Sequence, residues 1–134
     1  MAPLTVLNTR PKGATRLTRN SKLFEAIIHA IREKKGTHIV SLDLRQIPEA
    51  VADLFVICEA NATTQVRAIA DFVEETVKKE TGEDPYKHEG YAALQWVLID
   101  YVNIVVHVFQ PEVRKFYRLE EMWNDAGVME HNDK

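Results

Sequence analysis

Two stretches of the chain repeat apolar residues at the spacing of an α-helix. Ser21 can cap the first predicted helix, and Gly36 lies at its end. Thr63 or Thr64 can cap the second, which ends at Gly82. Within each stretch the apolar positions recur every three or four residues, which is the pattern of a helix that buries one face. These positions are Leu23, Phe24, Ile27, Ile28 and Ile31 in the first helix and Val66, Ile69, Ala70, Val73 and Val77 in the second.

Two other stretches predict β-strands. Residues 37–44 alternate between two faces until Pro48 interrupts the pattern. The run Leu54–Cys58 is continuously apolar, which is typical of a strand that is buried on both faces of a sheet. In the alternating strand, one face contains Ile39, Ser41 and Asp43, and the other contains Val40, Leu42 and Leu44.

Residues 96–109 predict a β-hairpin with two different faces. An even-length turn around Val102 and Asn103 pairs Asp100 with Val105, and this register assigns each residue to a face because strand side chains alternate. One face is expected to join the core. The other is apolar but includes a carboxylate and an imidazole, which suits a covered or partner-binding surface. The core face contains Val97, Ile99, Tyr101, Ile104, Val106 and Val108, and the second face contains Trp96, Leu98, Asp100, Val105, His107 and Phe109.

The remaining segments complete an alternation of helices and strands. Residues 83–95 predict an irregular polar connection, a kind of loop that often carries function. Pro111 suits the first position of a short helix that runs to Tyr117. The order α-β-β-α-β-β-α predicts an α/β (α+β) fold in which helices flank a mixed β-sheet. A last helical stripe, closed by Gly127, is expected at Leu119, Met122, Trp123 and Ala126.

Length and composition favour one folded domain. With 134 residues, of which 46% are hydrophobic, the chain can build a single core. No apolar run approaches the ~20 residues that span a bilayer, and no secretory signal opens the chain, so we expect no membrane association. The predicted organisation is a flexible basic arm (residues 1–20), one domain (residues 21–127) and a disordered tail (residues 128–134).

The net charge of −3 is distributed unevenly. Residues 1–24 contain five basic side chains and no acidic one, which leaves 12 basic against 20 acidic side chains and a formal charge of −8 for the rest. An acidic body argues against nucleic-acid binding over a broad surface. The basic segment has three interpretations that the sequence leaves open: a disordered arm, an organellar transit peptide, or a specific RNA contact.

Sequence motifs for catalysis are missing. The five glycines fit neither a dinucleotide-binding fingerprint nor a phosphate-binding loop, and the five histidines lack the spacing of a zinc site. Cys58 lies in an apolar run and is expected to be an inert buried thiol in a reducing compartment. The pairs His88 with Glu89 and His107 with Asp100 could support acid/base chemistry, but no nucleophile accompanies them. We therefore predict no catalytic residue, metal or cofactor, and interpret the Asp100 and His107 pair as part of an interface.

Several short motifs follow one another between residues 53 and 123. They are Asp53-Leu-Phe-Val-Ile, Gln65-Val-x-Ala-Ile-Ala-Asp71, Glu89-Gly90, Trp96-Val-Leu-Ile-Asp100, Val106-His-Val-Phe109, Arg114-x-Phe-Tyr117 and Leu119-Glu-x-x-Trp123. In this order they resemble the ribosomal silencing factor family, the iojap-like proteins, over about residues 22–127. The chain departs from the family pattern where Gln95 replaces a glycine before the tryptophan, and where Val102-Asn103 replaces Gly-Asp in the turn.

The resemblance implies a translation repressor without catalysis, which binds large-subunit ribosomal protein fourteen and sterically prevents the small subunit from joining. It also implies a nucleotidyltransferase-like topology without the catalytic residues, a possible homodimer off the ribosome, and a cytoplasmic location with a mitochondrial alternative. No cofactor is expected, and ribosomal RNA contact would be peripheral at most. The expected partner-binding residues are Glu89, Gly90, Trp96, Asp100, His107, Phe109, Arg114 and Tyr117.

The sequence leaves two rival functions open. A nucleotidyltransferase-like enzyme acting on a nucleotide or RNA would use Asp43, Asp53 or Asp100 with magnesium, although the usual motif spacing is absent. A general RNA-binding domain would depend on residues 1–20 and would show a steep dependence on salt.

Overall fold

The computed structural model describes residues 14–122 and 127–131, without the side chains of residues 14–20 and Met122. Within these ranges the chain forms four helices and six strands. None of these helices is both long and apolar enough to cross a bilayer. In chain order the helices and strands are α1 (Ala14–Glu33), β1 (Thr37–Asp43), β2 (Leu54–Glu59), α2 (Thr63–Thr81), β3 (Lys87–Glu89), β4 (Trp96–Asp100), β5 (Ile104–Phe109), α3 (Pro111–Tyr117), α4 (Leu119–Met122) and β6 (Gly127–Glu130).

The six strands form one mixed sheet in the order β3-β4-β5-β2-β1-β6. The central strands β2 and β5 are parallel, and every other neighbouring pair is antiparallel. Asp100 lies opposite Val105 in the β4–β5 hairpin, as the sequence predicts. The mixed α/β fold in a single domain is therefore confirmed.

Each face of the sheet has its own hydrophobic core. On one face, α1 and α2 pack over the predicted core side of the hairpin. On the other face, the β1–β2 connection, Val113 and Leu119 cover a smaller core. Strand β2 contributes to both, with Val56 and Cys58 on the first side and Phe55 and Ile57 on the second. Burial raises the pKa of the Cys58 thiol to about 12, which fits the predicted inert residue.

The predicted helix ends are correct more often than the predicted helix starts. Helix α2 ends at Gly82, whose φ of 80° lets its N–H donate to the Lys78 carbonyl. Its N-cap, however, is Ala62, with no side-chain cap, so the capping role given to the threonines is wrong. Helix α1 begins at Ala14, so Ser21 lies inside the helix, and residues 14–20 of the predicted arm are helical.

Two edge strands were missed in segments that were expected to be irregular. Strand β3 lies within residues 83–95 and pairs with β4. All of β6 except Gly127 lies within the predicted tail, and β6 pairs with β1. His131 follows β6 and is also ordered: its N–H donates to the Ile39 carbonyl, and its Nε2 is 2.8 Å from the Ser41 hydroxyl. The disordered tail is thus wrong for residues 128–131, and Gly127 opens a strand rather than closing a helix. Trp123 and Ala126 lie outside the described residues.

Candidate aromatic docking site

Helix α3 is held at one end of the β4–β5 hairpin. Its N-cap residue, Gln110, donates its N–H to the Gln95 carbonyl, directly before β4, and Pro111 occupies the first helical turn as predicted. The helix ends at Tyr117, and the C-cap residue Arg118 has a left-handed φ of 51° and donates its N–H to the Arg114 carbonyl. These two fixed ends bring the last turn of α3 beside Trp96.

Three neighbouring aromatic side chains, Trp96, Phe116 and Tyr117, form what we call the aromatic surface. The Trp96 and Tyr117 ring centroids are 4.7 Å apart, and Phe116 meets Tyr117 edge to face at 5.1 Å. Phe116 is 78% exposed and Tyr117 is 45% exposed, whereas Trp96 is half-buried. Large apolar side chains that cluster on the surface are typical of a site that a partner covers.

Two buried residues hold Trp96 in place from beneath. The indole N–H donates to His107 Nδ1 at 3.0 Å, and the indole ring stacks on Phe109 at 4.9 Å. His107 is 3% exposed, and Phe109 is fully buried. The predicted docking face therefore needs a correction: these two side chains support the surface and do not reach solvent, where a partner would meet them.

Burial also determines the protonation of His107. It lowers the imidazole pKa to about 3, so the ring is neutral at physiological pH. Because Nδ1 accepts the indole proton, the ring proton must be on Nε2. That Nε2 is buried and meets no hydrogen-bond partner among the described residues. His107 is thus a fixed acceptor for Trp96.

Arg114 is a buried structural residue in this conformation. Its guanidinium donates to the His38 carbonyl at 2.7 Å, to Glu59 at 3.1 Å and to Glu120 at 2.5 Å. Only 10% of its side chain is exposed. These bonds fasten α3 to β1, β2 and α4. The expected role of Arg114 as an exposed interface anchor is therefore corrected to a role in positioning α3.

Asp100 lies at the other end of β4 from Trp96. Its carboxylate accepts the N–H of Val102 at 2.7 Å and so stabilises a turn in which Val102 has a φ of 75°. That φ is unfavourable for a β-branched residue, in keeping with the departure from the family pattern at this turn. In the hairpin register, His107 lies opposite Leu98 and Asp100 lies opposite Val105. The structure does not bring Asp100 into the aromatic surface.

Glu89 and Gly90 occupy the outer edge of the hairpin. Glu89 is exposed on β3 and lies 3.4 Å from the Lys87 ammonium. Gly90 has a φ of 93°, and a Cβ at this position would lie 2.0 Å from the Trp96 carbonyl oxygen. Only glycine permits this close approach of backbone to backbone, so Gly90 has a structural role beside Trp96.

Phe116 is the surface residue that sequence reasoning missed. It belongs to the motif Arg114-x-Phe-Tyr117 but not to the expected partner-binding residues. Phe116 and Tyr117 follow Val113 by three and four residues, a spacing that is compatible with one buried helix face. No local pattern therefore distinguishes Phe116 from a core residue.

The carboxylates proposed for an enzymatic alternative each have a local partner. Asp43 binds Arg45 at 2.7 Å, and this hydrogen bond lowers the pKa of the Asp43 carboxyl. The buried Asp53 accepts a hydrogen bond from the Asn103 amide. His88 contacts Glu74 at 2.6 Å rather than Glu89. In the described part of the chain, no three His, Cys, Asp or Glu residues are grouped to hold a metal ion.

Comparisons with known proteins agree on one family. The model of the family described as "Ribosomal silencing factor during starvation" matches residues 18–134. Ribosomal silencing factor RsfS of Halalkalibacterium halodurans is 39% identical over 111 residues, which cover 83% of this chain and 93% of that protein. The mouse protein named mitochondrial assembly of ribosomal large subunit protein 1 is 28% identical over 103 residues, covering 74% of this chain and 44% of that one.

A solved structure shows the same fold. The crystal structure of a Chromobacterium violaceum protein superposes with a TM-score of 0.72 at 31% identity, covering 78% of this chain and 85% of that chain. The order of motifs, the fold and the family model are thus consistent with one another. We conclude that this chain belongs to the ribosomal silencing factor family.

Proposed function

We propose that the protein represses translation by binding the large ribosomal subunit at ribosomal protein fourteen and blocking the approach of the small subunit. Family membership supports a role in ribosome silencing, and the name of the mouse relative supports an association with the large subunit. The single observation that carries the docking proposal is the exposed aromatic surface on its rigid base.

The aromatic surface has the properties of an energetic anchor for a protein partner. Aromatic side chains dominate the binding energy of protein interfaces, and a surface that is already ordered loses little conformational entropy on binding. Here Phe109, His107 and Gly90 hold Trp96, which in turn packs on Tyr117. Phe116 and Tyr117 supply the exposed apolar area that a partner would cover.

Repression requires only mutual exclusion. If the protein and the small subunit cannot bind the large subunit together, the apparent dissociation constant for subunit joining is multiplied by one plus the ratio of the protein concentration to its Kd for the large subunit. No catalytic step enters this scheme. We place the activity in the cytoplasm with mitochondria as the alternative, and retain a homodimer off the ribosome as a further proposal.

The docking proposal is tested by co-sedimentation of the protein with purified large subunits. A Phe116→Ala/Tyr117→Ala variant should bind roughly 30-fold more weakly or worse, since loss of an interface anchor costs about 2 kcal/mol or more. The same variant should no longer inhibit the joining of small subunits in a gradient. Ribosomal protein fourteen as the direct contact would be checked by site-specific cross-linking from residue 116.

Tyr86→Ala is the matched control. Tyr86 is an exposed aromatic residue, 74% accessible, and its N–H binds the Asp100 carbonyl at the far end of β4. This control should bind and inhibit like the wild type. Equal binding by the double variant and the wild type, with circular dichroism showing both folded, would contradict docking through the aromatic surface.

A further inference from the structure

Helix α1 begins upstream of the helix start that the sequence predicts. It begins at Ala14, but the first buried side chain among those described is Leu23, and both Ser21 and Lys22 are exposed. The match to the family model begins at residue 18. Residues 14–22 make up about two and a half turns of this helix. We call residues 14–22 the helical extension.

The helical extension concentrates positive charge. It contains Arg16, Arg19 and Lys22 and no acidic residue, and the first acidic residue of the chain is Glu25. At three-residue intervals these three positions fall within a sector of about 120° on the helix and span about 9 Å along its axis. Arg16 lies in the first turn, where a cation opposes the helix dipole, so its charge does not stabilise the helix itself. An anionic partner would offset this unfavourable arrangement.

The negative charge of the rest of the molecule would disfavour binding of a polyanion outside this segment. After residue 24 the formal charge is −8, and exposed acidic residues such as Asp71, Glu75 and Glu80 lie along α2. Moreover, α1 and α2 cover the sheet face opposite the one that carries Trp96. Binding by the helical extension would therefore leave the aromatic surface accessible.

We infer that the helical extension binds the phosphate backbone of ribosomal RNA next to the protein docking site on the large subunit. This inference rests on the proposed function, which makes ribosomal RNA the adjacent polyanion. Three cations on one helical sector match a backbone that repeats negative charge, and such contacts are independent of base sequence. Arg10 and Lys12 add further positive charge upstream in the sequence.

The test uses the full chain with Arg16→Gln/Arg19→Gln/Lys22→Gln. Glutamine keeps a high helix propensity while removing the charge. The control, Arg67→Gln/Lys78→Gln/Lys79→Gln, removes the same charge from exposed positions on α2. Binding to protein-free large-subunit ribosomal RNA is measured by filter retention across a salt series. Vesicles containing an anionic phospholipid serve as the competing polyanion.

The extension variant should bind RNA at least about tenfold more weakly at low salt. The slope of its log association constant against log salt concentration should fall in magnitude by about two, because each lost phosphate contact removes about 0.7–0.9. The control should match the wild type. Wild-type affinity and slope in the extension variant would overturn the inference, as would binding of the wild type to vesicles but not to RNA.

Failure of the docking proposal is distinguishable from failure of this one. Phe116→Ala/Tyr117→Ala should lose large subunits but keep its affinity for free RNA. Retention of large-subunit binding by that variant would count against the aromatic surface alone. Unchanged RNA binding by the extension variant would count against the helical extension alone.

Discussion

At the residue scale, the orientation of the half-buried Trp96 side chain depends on its buried neighbours. Its indole has one hydrogen-bond donor, and that donor is satisfied by the neutral imidazole of His107. Histidine at an interface usually makes binding sensitive to physiological pH. Here burial keeps the ring uncharged, so the orientation of Trp96 is fixed over that range.

The same residue predicts a dependence of stability on pH. In the folded state the His107 pKa is about 3, whereas the ordinary value for the unfolded chain is 6.5. Between these values the unfolded imidazole takes up a proton that the folded one does not, so stability falls as the pH falls. From pH 7 to pH 5, His107 should contribute a loss of about 2 kcal/mol in the free energy of unfolding.

His107→Gln is the informative variant, because glutamine retains an acceptor for Trp96 but does not titrate. Urea unfolding of both proteins at pH 7 and pH 5 isolates the contribution of His107, since every other titrating group is shared. The wild type should lose about 2 kcal/mol more than the variant over this interval. Parallel losses in the two proteins would show that the imidazole titrates normally in the folded state.

At the scale of secondary-structure elements, the edge strand β6 turns a segment with no clear sequence pattern into part of the sheet. Its four residues pair with β1, and the following His131 adds contacts to Ile39, Ser41 and Arg32. Val128 and Met129 are exposed, so the strand is held mainly by its backbone pairing and by His131.

Truncation distinguishes an ordered strand from a disordered tail. A chain that ends at Gly127 should lose on the order of 2–4 kcal/mol in unfolding free energy, since several hydrogen bonds of about 0.5–1.5 kcal/mol each disappear. A chain that ends at His131 keeps the contacts described above and serves as the control. Urea denaturation followed by circular dichroism measures both. Identical midpoints for the shorter chain and the wild type would argue that β6 contributes nothing.

At the scale of the whole molecule, the sheet separates two proposed binding surfaces. The aromatic surface lies over one face, and the helical extension continues from the helical layer on the other. Residues that share no contacts and lie far apart usually contribute to free energies additively. Affinity for the large subunit should therefore reflect two independent contributions.

A variant that combines Phe116→Ala/Tyr117→Ala with the three glutamine substitutions tests this independence. Its fold-loss in affinity for large subunits should equal the product of the separate fold-losses, within about twofold, because additivity holds to about 0.3–0.5 kcal/mol for distant sites. Sedimentation titrations at one salt concentration give all four dissociation constants. A combined loss no larger than the greater single loss would indicate one shared surface.

Sequence patterns were sufficient for the parts of the fold that local alternation specifies. The helical stripe from Leu23 to Ile31, the doubly buried run Leu54–Cys58 and the register of Asp100 with Val105 were all predicted and observed. In each case the spacing of apolar residues indicates which side chains must be buried. In the hairpin, a slip of the register by one residue would expose the core face. The spacing of apolar residues did not predict the start of α1, because the helix begins upstream of its apolar stripe.

By itself, the sequence determined which residues of the hairpin share a face and that this face mixes aromatic and polar groups. Only the tertiary structure decided which of them reach solvent. Val113 and Leu119 come from a later segment and join the core that contains Phe109, while Phe116 and Tyr117 remain exposed on the same segment. Exposure depends on which distant segments pack together, and the local spacing of apolar residues does not specify that packing.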